Sequence, residues 1–124
     1  MDAITIAVVA GLLFLFMLLS GLWLSRRGRP LSMGLSALHK LISLGAGIFL
    51  VVTVIQRNAA APLAATEWIA VAVTGLCFIV TVAAGALLGS ERAMPVAVLR
   101  VHQILPALIA ISTGVTLYLL VGRA

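Results

Sequence analysis

Four long apolar runs, separated only by short turns, constrain this chain more than any other feature. They lie at about 3–24, 31–55, 67–88 and 95–121, and ~20 helical residues suffice to cross the hydrocarbon core of a bilayer. A spanning helix satisfies its own backbone hydrogen bonds in lipid, whereas an open sheet edge would not. The chain is 64% apolar and 9% charged, against ~45–50% and ~25% in ordinary soluble domains. It lacks the polar residues needed to cover a fold in water. Short connections make successive helices antiparallel neighbours. The expectation is an all-α protein: a transmembrane four-helix antiparallel bundle, with residues 1–124 as one domain. The first run follows Met1-Asp2 with no basic stretch before it, and it is too long for the apolar part of a cleavable signal. It reads as a transmembrane helix.

Net charge is +5, but the basic residues cluster at the ends of the runs. They form no stripe interleaved with exposed aromatics, which argues against nucleic-acid binding. Arg26, Arg27, Arg29 and Arg92 lie on one side, with Lys40 and Arg100 within snorkelling reach of it; Arg57 and Arg123 lie on the other, six against two. The Lys/Arg bias therefore predicts cytoplasmic basic turns and outside termini in a plasma (inner) membrane. Trp23, Trp68 and Tyr118 fall near run ends, as interfacial aromatics do. Cys77 stands alone in mid-run, so no internal disulfide exists; a small buried apolar side chain is its plain role.

An internal repeat runs through the chain. Gly11 and Gly75, Gly21 and Gly85, Phe14 and Phe78, Leu12 and Leu76, and Leu24 and Leu88 are all 64 apart (75 − 11). After the turns the spacing becomes 63: His39 pairs with His102 (102 − 39), and Thr53 with Thr116. The repeat predicts two tandem helical hairpins in the same orientation, with a pseudo-two-fold axis along the membrane normal. A site on that axis would receive one equivalent residue from each half.

His39 and His102 are the only histidines. An ionisable ring inside a membrane segment is costly to desolvate and marks a functional site by default. His39 lies nine residues after Pro30 and His102 seven after Pro95, a depth difference of only ~3 Å at 1.5 Å per residue. In an up-down bundle, helices two and four are parallel and diagonal, so two imidazoles would face each other at similar height. That is a geometry for axial ligation of a flat macrocycle such as haem.

The surroundings are permissive. The His39 face continues through Ser43, Ala46, Gly47 and Leu50; the His102 face continues through Pro106, Ile109, Ala110 and Thr113. Gly21 and Gly85, at similar depth, would let another group approach the backbone closely. A porphyrin edge and simple helix packing both satisfy that pattern. Pro106 cannot donate to the His102 carbonyl, which predicts a kink beyond that histidine. Arg92 and Arg100, nearest His102 in sequence, are the favoured partners for propionates. Each ligand ring also needs its second nitrogen held. Ser36, one turn before His39, and the Val98 carbonyl, one turn before His102, are the candidates on the same helices.

This arrangement resembles the membrane b-type cytochromes, and it is similar in plan to the cytochrome b and cytochrome b561 type of four-helix bundle. The resemblance covers the whole chain as architecture, but its motif is confined to two histidines and several glycines. It implies one haem b with His39 and His102 as axial and metal ligands, Gly21 and Gly85 as clearance positions, and a role in electron transfer. Two-haem members carry a second histidine further along each ligand helix; here the stretches around Thr53 and Thr116 hold none. One haem near one face cannot alone carry electrons across the membrane.

Other readings stay open. A chlorophyll-type pigment needs only one axial ligand, and a non-catalytic subunit of a larger respiratory or photosynthetic complex would look similar. A small transporter would need an embedded acid, and Asp2, Glu67 and Glu91 all lie at run ends. Zinc or copper usually takes three or four protein ligands. No nucleophile or general acid stands out, which points to an electron carrier rather than an enzyme. Beyond lipid, the expected partners are a quinone, a redox protein, a larger membrane complex or a second copy of the chain.

Overall fold

The computed structural model describes residues 1–28, 32–90 and 92–122. The expectations placed on Arg29, Pro30, Leu31, Glu91 and Arg123 lie outside the described residues. Among the described residues there are four α-helices: α1 (Ala3–Arg27), α2 (Met33–Ala60), α3 (Ala65–Leu88) and α4 (Val96–Val121). Each is long and apolar enough to cross a membrane. The protein is an all-α, multi-pass membrane protein, and lipid is its solvent.

Local chemistry sets the helix ends. At the start of α1, the Asp2 carboxylate accepts from the Thr5 amide at 2.7 Å, satisfying one of the four orphan donors of the first turn. Arg26 and Arg27 lie in the last turn of α1, where cations complement the helix dipole. The helix stops at Gly28, whose φ of 68° suits glycine. At the start of α3, the buried Glu67 side chain reaches back to accept from the Ala64 amide at 2.6 Å.

Two helices outrun their apolar stretches. α1 continues through Arg27 rather than stopping near 24, and α2 continues to Ala60 rather than 55. Gln56, Arg57 and Asn58 do not stop helical hydrogen bonding; they only end the lipid-compatible surface. Pro62 disfavours helical backbone at Ala61 and provides the stop. α3 likewise begins at Ala65, two residues before 67, because its cap comes from Glu67 inside the first turn. α4 is one continuous helix across Pro106.

The chain divides into two compact units, residues 1–60 and 61–124. In the first, α1 packs on α2; in the second, α3 packs on α4. Each unit is a helical hairpin. In the first, a stripe on α1 is buried: Ile6, Ala10, Phe14, Met17, Ser20 and Leu24, spaced three or four apart. The 64-residue register carries it onto Ala70, Thr74, Phe78, Thr81, Ala84 and Leu88 of α3, all buried or half-buried. The 63-residue register carries His39, Ser43, Ala46, Leu50 and Thr53 of α2 onto His102, Pro106, Ile109, Thr113 and Thr116 of α4. These too are all buried or half-buried. The repeat thus describes which faces of each hairpin are covered. Outside these stripes the helices present large apolar side chains such as Leu41, Ile69, Ile79 and Ile111, suited to lipid.

Candidate functional site

Each histidine lies across a glycine of the preceding helix in its own hairpin. A methyl group built on Gly21 would stand 3.0 Å from His39 Cε1; one built on Gly85 would stand 2.8 Å from His102 Cε1. Any larger residue would force the ring away. The expected clearance at these glycines is therefore used, and the group that uses it is an imidazole of the same hairpin.

The hydrogen bonds then define how each ring is held. His102 Nδ1 lies 3.0 Å from the Thr81 carbonyl. A carbonyl only accepts, so Nδ1 carries the proton. His39 Nδ1 lies 2.9 Å from the Ser20 hydroxyl, and that hydroxyl donates to the Met17 carbonyl at 3.0 Å. With its one proton turned toward Met17, Ser20 can accept from Nδ1–H of His39. Met17 and Thr81 are equivalent in the repeat (81 − 17 = 64), as are Ser20 and Ala84. Both rings are thus tied to the same carbonyl position of the preceding helix, one directly and one through a hydroxyl. In the neutral ring each places its lone pair on Nε2, the tautomer that a metal or proton donor at Nε2 requires.

Sequence spacing pointed to Ser36 and to the Val98 carbonyl as the holders of the second nitrogens. The Nδ1 partners are instead Ser20 and the Thr81 carbonyl, each on the neighbouring helix. A same-helix search could not find them. Ser20 had one signal, its place next to Gly21 at the histidine's depth.

The remaining expected residues fall as follows. The Ser43 hydroxyl donates to the His39 carbonyl at 2.7 Å. Its counterpart Pro106 has no N–H to give the His102 carbonyl. Gly47 is half-buried beside the fully covered Ala46. Ala110 is exposed, and its neighbour Ile109 takes the buried position. The reason is angular: at 100° per residue, i+7 returns within about 20° of the histidine's direction, while i+8 falls about 80° away. Arg92 and Arg100 are both exposed, Arg92 in the connection before α4. Arg100, two residues before His102, departs from the opposite side of α4.

Further along the second hairpin, Thr116 donates to the Ser112 carbonyl at 2.8 Å and meets the Thr74 hydroxyl at 3.0 Å. The Thr113 hydroxyl is buried without a hydrogen-bond partner. No group of three or more His, Cys, Asp or Glu side chains gathers to hold a metal ion among the described residues. Comparison of the chain with protein families, characterised proteins and solved structures finds no match.

Proposed function

We propose that the protein binds one haem b, with His39 and His102 as its two axial ligands, and works as a membrane electron carrier. The observation that carries this reading is the shared seat of the two rings: same ring nitrogen engaged, same glycine support, same carbonyl position at the end of the hydrogen bond. Ligand histidines characteristically donate their second N–H to a carbonyl or similar acceptor, which orients the ring and raises its basicity. A histidine kept only for packing has no need of that pattern twice. The donor set fits the group, since haem iron accepts imidazole on either axial side. When bound, haem would supply one-electron exchange at its iron. The chain's own part is to fix the two imidazoles and to exclude water with apolar helix faces. Arg26 and Arg27 at the end of α1, Arg92 in the connection before α4 and Arg100 near the start of α4 would offer charge to propionates.

The Lys/Arg bias supports cytoplasmic turns within each hairpin and outside termini, with the histidines nearer the cytoplasmic face. A quinone in the bilayer or a redox protein at the basic face would exchange the electron. The transporter reading weakens further, because Asp2 and Glu67 are engaged at helix N-termini.

An absorption spectrum of the purified protein tests the proposal. A low-spin b-type spectrum that changes on reduction is expected, and His39→Ala or His102→Ala should each abolish it. A colourless protein made with ample haem would sink the reading. A chlorophyll-like red band would replace haem with a pigment.

A further inference from the structure

We infer that Ser20 is a positioning residue that links the His39 Nδ1–H to the Met17 carbonyl through its hydroxyl and makes the two imidazoles unequal ligands. The inference rests on the haem reading for its consequence, but not for its geometry.

The two seats differ in what meets Nδ1. In the second hairpin the repeat places Ala84 where the first has Ser20, and His102 bonds the Thr81 carbonyl with nothing between. In the first, the hydroxyl is inserted between ring and carbonyl. Ser20 is 6% exposed, so water does not readily take its place. The His39 ring already rests on the backbone at Gly21. It has little room to sink and close a hydroxyl-sized gap. Without Ser20, the Nδ1 proton of His39 loses the hydroxyl that accepts it, and the preference for carrying it on Nδ1 weakens.

Acceptor strength ranks the ligands. A backbone carbonyl polarises the N–H more than a neutral hydroxyl does, although donation from Ser20 to Met17 strengthens the hydroxyl as an acceptor in part. With haem bound, His102 would be the stronger donor to the metal and His39 the weaker. The ligand more easily displaced is His39.

The test begins with the haem-free full-length chain in detergent, with nitrogen-15 in its histidines. Both rings should show the proton on Nδ1. In Ser20→Ala the signals of His39 alone should shift toward the Nε2–H tautomer, those of His102 should stay, and Ser20→Thr should restore His39. If Ser20→Ala does not fold, Ser20→Cys, a weaker acceptor, should give a partial shift in the same direction. An Nε2–H tautomer for His39 in the unaltered chain overturns the inference, as does a His39 spectrum indifferent to every substitution at Ser20. With haem added, Ser20→Ala should retain it about tenfold less tightly, as loss of an outer partner typically does, and Ser20→Thr should recover the difference. Tautomer shifts as expected with no haem bound by any variant would leave Ser20 its role and remove the haem reading. Haem bound alike by the unaltered chain, Ser20→Ala and Ser20→Thr would keep the haem reading and overturn the claim that the two ligands are unequal.

Discussion

The two hairpins solve one problem with different polar chemistry. Both lay an imidazole across a glycine and tie Nδ1 to the carbonyl three residues before Ser20 or Ala84. The first hairpin spends its extra hydroxyl at the ring, on Ser20, and has alanine at position 10. The second has alanine at position 84 and places its hydroxyl deeper, on Thr74, where it meets Thr116. Thr53, the counterpart of Thr116, donates to the Phe49 carbonyl at 2.8 Å. The difference teaches that the constant element is the seat, glycine plus carbonyl, while the hydroxyls around it are placed independently in each half.

Enlarging the glycines should break the comparison most sharply. Gly85→Ala and Gly21→Ala force the rings from their seats, with an overpacking cost of ~1–3 kcal/mol. The closer approach at Gly85 makes Gly85→Ala the worse of the two. Unfolding in detergent measures the order, and equal effects would mean that the rings yield freely. Thr113→Val should stabilise the second hairpin by about 1 kcal/mol, because it removes a buried hydroxyl with no partner. Its counterpart in the first hairpin, Leu50, is already apolar. A loss of stability there would mean that a bound molecule uses the hydroxyl. Thr74→Ala, which imposes the first hairpin's pattern on the second, should cost about 0.6 kcal/mol, the usual scale for a hydrogen bond between membrane helices. The same unfolding measurement would register it.

The smallest effect lies at the start of α1. Hydrogen bonds from the Thr5 side chain and then its amide hold the Asp2 carboxyl below its ordinary value. A lowered carboxylate pKa stabilises the fold above the ordinary value and loses that contribution as pH falls through the lowered one. A lower protection of the Thr5 amide, its exchange taken relative to the intrinsic rate at each pH, is expected on acidification, with no such change in Asp2→Asn, whose side chain still accepts.

The fold was legible because lipid leaves so few choices. Run length, turn chemistry and the glycine–histidine order were enough to place four helices and to pair them as hairpins. Hydropathy misplaced the ends of α1 and α2 for a physical reason: it reports where lipid-compatible surface stops, and helical hydrogen bonding runs on into water. The histidines and their glycines could be picked out by cost and by repetition. Their hydrogen-bond partners could not. Spacing along one helix brings Ser36 near His39, but the rotation of α1 against α2 brings Ser20 to Nδ1. That rotation follows from how the whole buried stripe packs. Within its hairpin Ala110 is exposed where Ile109 is buried, which turns on the difference between seven and eight residues on a helix.

The glycine seat also has a consequence in time. Each imidazole is set by contacts inside a single hairpin, between helices close in the chain. A chain made from its N-terminus can therefore finish orienting His39 while α3 and α4 are still being synthesised. Whatever molecule later reaches these rings meets side chains whose rotamer entropy was surrendered during folding, and that loss does not weaken its binding.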